Sequence, residues 1–74
     1  MDLGDLVVVN KSGHPFYGLS GKIVGRRGNY TPDDPIFLVF IKNRARSFLI
    51  PQSMLRLMEP SEIEVTKNIA DWPF

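Results

Sequence analysis

Ile36-Phe37-Leu38-Val39-Phe40-Ile41 is the stretch that decides how this chain folds. β-Branched and aromatic except at Leu38, it is the strongest strand signal in the sequence. A strand with one wet face alternates apolar with polar residues, and this one does not. One set, either Ile36, Leu38 and Phe40 or Phe37, Val39 and Ile41, faces the interior. The other set needs a cover, because burying three such side chains is worth about 5–8 kcal/mol by area. The C-terminal tail, a second copy of the chain and a larger partner are the candidate covers.

Working outward, Lys42 to Arg46 forms a hairpin-length connection to a strand at Ser47-Phe48-Leu49-Ile50. Pro51 to Met54 reads as a single turn of 3₁₀ type, and Leu55 to Met58 alternates as a last short strand. Upstream, Leu6-Val7-Val8-Val9 is a short β-branched run, and Ser20 to Gly25 carries Ile23 and Val24 with Gly21 at a bulge or close backbone approach. Strands are therefore expected near 5–10, 20–26, 36–42, 46–50 and 55–58. Between the second and third, Gly28 to Pro35 holds two prolines and two acids and reads as an exposed loop. Short strands between Gly- and Pro-containing turns indicate an all-β fold, a small barrel or sandwich.

The chain has 74 residues and 8.4 kDa, enough for one small domain. A body of that size buries only about 60–65% of its unfolded surface, which leaves little room for a deep catalytic cleft. Hydrophobic residues at 43% and charged residues at 23% are those of an ordinary globular protein. With no cysteine, disulfides, thiolate zinc sites and cysteine nucleophiles are excluded. The acidic start Met1-Asp2-Leu3-Gly4-Asp5 is unlike a signal peptide, and the longest apolar run of six residues falls short of the about 20 that span a bilayer. A cytoplasmic protein without membrane insertion is the expectation. The net charge of +1 hides an asymmetry. Residues 1–58 carry eight basic and four acidic side chains, net +4, whereas 59–74 set Lys67 against Glu59, Glu62, Glu64 and Asp71, net −3. The chain thus divides into a body, 1–58, and an acidic, aromatic-ended tail, 59–74.

Gly4-Asp5-Leu6-Val7-Val8-Val9, a loop, and Gly18-Leu19-Ser20-Gly21-Lys22-Ile23-Val24-Gly25 resemble the KOW motif. That motif reads Gly-Asp-x-Val-x-Val, then Gly-hydrophobic-x-Gly-x-hydrophobic-hydrophobic, and occurs in NusG-type transcription factors and several ribosomal proteins. The resemblance implies an SH3-like small barrel of about five strands. The same fold serves small accessory subunits of photosynthetic complexes and small phage proteins, so fold alone does not assign a role. Gly18 and Gly21 stand where the chain turns and re-enters the sheet, which suits residues that tolerate positive φ.

Catalytic chemistry finds little support in these residues. The single histidine, His14, has no adjacent acid, and Asp33-Asp34 alone is a poor metal site, so no catalytic residue, metal or cofactor is expected. Gly25-Arg26-Arg27-Gly28 lacks the spacing of a phosphate loop. The cations are more informative. Lys22, Arg26 and Arg27 leave the second strand, and Lys42, Arg44 and Arg46 lie between the third and fourth; together they would make one patch for phosphate or carboxylate, partly neutralised by Asp33 and Asp34. His14, Phe16 and Tyr17 in the first loop add aromatic surface, with Phe16 either stacking on a ligand or folding back over the core. The expected function is a non-catalytic binding module acting as an accessory piece of a larger assembly. Its partner is nucleic acid or a transcription or translation machine; the alternative is a protein–protein adaptor in a multiprotein complex.

The tail supplies a cover of its own. Ser61-x-x-Glu64 matches a capping box, and Val65, Ile69 and Trp72 fall at i, i+4 and i+7. Its β-branched residues leave an extended tail open as well. With Ile69, Trp72 and Phe74 as anchors, the tail is expected to dock on a barrel. Its own barrel would leave a monomer, and a neighbour's would make a homo-oligomer.

Overall fold

A computed structural model describes the backbone of residues 1–69 and the side chains of 1–64. It shows five strands and one helix: β1 (Leu6–Val9), β2 (Ser20–Thr31), β3 (Asp34–Ile41), β4 (Arg46–Pro51), β5 (Leu55–Leu57) and α1 (Pro60–Ile69). Single 3₁₀ turns, Lys42–Arg44 and Gln52–Met54, join β3 to β4 and β4 to β5. The strands form one antiparallel sheet in the order β4-β3-β2-β1-β5.

Laid flat, that order would hold β4 and β5 about 19 Å apart, four inter-strand spacings. Yet only the turn Gln52–Met54 separates Pro51 from Leu55, and four peptide units reach at most about 14 Å. The sheet is therefore curled back on itself. The expected barrel is met only this far, because the hydrogen-bonded ladder stops at β4 and β5 and the sheet is not closed.

The curl wraps one core. Val7 and Val9, Ile23, Phe37, Val39 and Ile41, Ile50 and Leu55 pack together, so each of the five strands sends residues inward. This settles β3: Phe37, Val39 and Ile41 are the buried set, and Ile36, Leu38 and Phe40 share the outward face. Of the two glycines expected at positive φ, Gly18 conforms with φ 82°. Gly21 does not; its lack of a side chain serves close packing, since a Cβ there would meet Val39 Cγ1 at 2.5 Å and the Phe40 carbonyl oxygen at 3.0 Å.

The expected loop Gly28 to Pro35 is instead the end of a hairpin. β2 continues to Thr31 and β3 begins at Asp34, with only Pro32 and Asp33 between them. Asn29 pairs with Pro35 and Thr31 with Asp34, across two register irregularities, one of them beside Gly28 at φ 71°. β4 reaches only as far as Ile36, which pairs with Pro51. Beyond that point the two strands form an arm with no strand paired on the outer edge of β3, the kind of place where a proline is tolerated.

At the other end, the capping box sits two residues earlier than Ser61 and Glu64. Glu59 is the N-cap: its carbonyl accepts the first helical bond from Ile63 N–H at 3.0 Å, and Glu62 Oε1 reaches back to the Glu59 N–H at 2.9 Å. Pro60 occupies the first helical position, where its fixed φ is pre-organised and no N–H is needed. The Ile69 side chain and all of Trp72 and Phe74 lie outside the described residues.

Candidate nucleic-acid interface

The six expected cations divide into two groups. Lys22 stands opposite Phe40, Arg46 opposite Ile41, and Lys42 and Arg44 lie in the turn that follows Ile41. Arg26 instead pairs with Phe37, four residues back along β3, or about 13 Å away. One group therefore gathers at the β3–β4 connection, and Arg26 and Arg27 open the arm. They do not form a single patch.

The arm presents its polar side chains to solvent. Arg26, Arg27, Asn29 and Thr31 are exposed, and Tyr30 is 64% exposed. Arg26 Nη2 donates to Asn29 Oδ1 at 3.3 Å and Arg27 Nη1 to the Arg26 carbonyl at 3.0 Å. Both acceptors are neutral, so neither guanidinium charge is cancelled by them. Asp34, expected to neutralise the arginines, is engaged elsewhere. Its Oδ1 accepts the Ser53 N–H at 2.9 Å and its Oδ2 the Ser53 hydroxyl at 2.6 Å, which ties the end of the arm, at the start of β3, to the turn before β5. Asp33 remains exposed at the tip.

The first loop is brought against the β3–β4 connection. Successive turns, His14 N–H to the Lys11 carbonyl, Tyr17 N–H to the His14 carbonyl and Leu19 N–H to the Phe16 carbonyl, fold it compactly. Phe16 stacks on Phe48 with ring centroids 4.5 Å apart and packs against the core, so of its two expected roles it takes that of a lid. His14 Nδ1 accepts the Phe16 N–H at 3.0 Å, and the two rings lie 5.5 Å apart. The Arg44 guanidinium lies 5.6 Å from the Phe16 ring centroid. Tyr17 is 59% exposed at the rim. The neighbourhood of Arg44, Phe16 and His14 had no local signal, since 28 residues separate Phe16 from Arg44.

Sequence reasoning also missed Arg56. It sits on β5 opposite Val8, and both its terminal nitrogens bond Glu62, at 2.8 and 3.0 Å. Arg56 thereby acts as the helix anchor and is not part of either basic group. Among the described residues no cluster of three or more His, Asp or Glu could hold a metal ion, and no helix is long and apolar enough to cross a membrane.

Comparison with family models, curated proteins and solved structures finds no match to this chain.

Proposed function

We propose that this chain is a KOW-like module on an SH3-type small barrel, non-catalytic, and that it binds nucleic acid as an accessory piece of a larger assembly. The barrel reading is supported by the strand order, the 3₁₀ turn between the last two strands and the curl that this turn imposes. One observation carries the binding reading. The arm holds two exposed arginines and an exposed tyrosine, and of the two acids at its end Asp34 turns its carboxylate to Ser53 while Asp33 is exposed. Guanidinium groups suit phosphate, and a tyrosine ring offers a face to a base. The group at Lys42, Arg44 and Arg46 supplies a second point of contact on the same body.

Fluorescence anisotropy with labelled single-stranded and duplex oligonucleotides, titrated over salt, tests this directly. Phosphate contacts release counterions, so affinity should fall steeply as salt rises. The absence of any shift at low salt would overturn the reading. The protein–protein adaptor is the second reading, favoured by Leu49 at 58% and Leu57 at 52% exposure on the two edge strands. It predicts a partner captured with little dependence on salt.

A further inference from the structure

β2 uses more residues than β3 over the stretch where the two pair, and the surplus falls on the arm. Arg26 stands opposite Phe37 and Asn29 opposite Pro35, so Arg27 and Gly28 fall against the single residue Ile36. Thr31 then stands opposite Asp34, which leaves Tyr30 with no counterpart on β3. Each surplus residue bulges the strand, and a bulge re-aims a side chain out of the regular alternation of the ladder. A strand tyrosine ordinarily packs on its cross-strand neighbour. Tyr30 has none opposite it and is 64% exposed. Among the described residues no aromatic ring or cation is set against it.

The charges next to this ring are held in place. Arg27 and Arg26 lie three and four residues up the same strand, about 10 and 13 Å away. Their guanidinium groups are steadied by the Asn29 side chain and the Arg26 carbonyl, both neutral. The arm therefore sets two cations and an open aromatic ring along one line. A nucleic-acid backbone held by the arginines would bring a base to Tyr30, but only an unpaired base has a face to offer. In a duplex each base is covered by its neighbours, and taking one out of the stack costs free energy. Aromatic side chains beside a basic track are the chemistry of single-strand binding. Nor is the arm a free ribbon that could enter a major groove, since Asp34 ties its end to the turn Gln52–Met54.

We infer that the arm selects single-stranded nucleic acid over duplex, with an unpaired base stacked on Tyr30 and its backbone held by Arg26 and Arg27. The inference rests on the nucleic-acid reading above and names the form of the strand that the same surface takes. Duplex keeps the phosphate contacts but gives the ring no face.

Anisotropy with four short labelled probes tests it: a single-stranded DNA, the RNA of the same sequence, the DNA duplex, and the DNA strand made abasic throughout. Both intact single strands should bind more tightly than the duplex at the same salt, and the tighter of the two identifies the source of the strand. Tyr30→Ala should weaken binding to the intact single strands about 5- to 150-fold, the usual worth of one stacked base. It should leave the duplex and abasic affinities within about twofold. The slope of log affinity against log salt should not move, because the lost ring carries no charge. Tyr30→Phe should keep most of the affinity. The residue is exposed, so the alanine variant keeps its denaturation midpoint. Duplex bound as tightly as the single strands would overturn the inference and leave nucleic-acid binding standing. So would an equal loss on intact and abasic strands, or no loss at all. Failure of all four probes to bind at low salt would overturn the wider reading together with this one.

Discussion

Glu62 grips Arg56 with both carboxylate oxygens, at 2.8 and 3.0 Å, and with one of them also accepts the N–H of Glu59. The Arg56 hydrogen bond, aided by the backbone bond, holds the Glu62 carboxyl down at about 2. A carboxyl whose pKa is lower in the folded state stabilises that state above its unfolded value. This contribution is complete above about 4.5 and is lost as pH falls through about 2. The Glu59 amide resonance should therefore titrate with a midpoint near 2, together with loss of helical ellipticity. Glu62→Gln should abolish that titration while leaving the sheet resonances in place.

Gly21 is a packing site, and the prediction follows from its neighbours. A methyl there meets Val39 at 2.5 Å, and Val39 sits at the centre of the core with no exposure. The Phe40 carbonyl at 3.0 Å is backbone and cannot swing aside. Gly21→Ala should cost about 1–3 kcal/mol, the usual range for overpacking. Urea unfolding checks it, with an unchanged m-value marking a pure stability effect.

Phe16 and Arg44 form one contact but should weigh very differently. Phe16 is half-buried, stacked on Phe48 and packed on the core, so Phe16→Ala should cost about 2–3 kcal/mol. Arg44 is exposed, and a cation over a ring in water is worth about 0.5–1 kcal/mol. Arg44→Ala should thus leave the denaturation midpoint nearly unmoved. Equal losses for the two variants would show that the Arg44 contact, and not the Phe48 stack, holds the loop down.

How far the sequence reaches is visible element by element. The apolar run Ile36 to Ile41 specifies a strand by composition, and its surplus face is real, but which set turns inward depends on register with β2 and β4. The arm was hidden because Pro32, Asp33 and Pro35 are poor residues for an interior strand. They are acceptable where a hairpin outruns its neighbours and no strand pairs with its outer edge. The helix start was displaced because serine is the commoner cap, whereas the deciding signal was Pro60 at the first helical position. The six cations looked contiguous because sequence shows which turns carry them and not how far apart a strand holds those turns.

That separation carries the last prediction. Arg26 and Arg27 lie about 13 Å along β3 from the group at Lys42, Arg44 and Arg46, a distance of about four steps along one strand of a duplex at 3.4 Å each. A continuous phosphate backbone can engage both groups at once, while a lone phosphate engages one. Each phosphate contact adds about 0.9 to the slope of log affinity against log salt on duplex DNA. Arg26→Ala with Arg27→Ala should therefore lower that slope by about 2, and Arg44→Ala with Arg46→Ala by about 2 again. Being distant and without shared partners, the two losses should add when all four are combined. Inorganic phosphate should compete only weakly, since it cannot bridge the gap. If the arm pair leaves the slope unchanged while the second pair removes it, the β3–β4 connection alone is the interface.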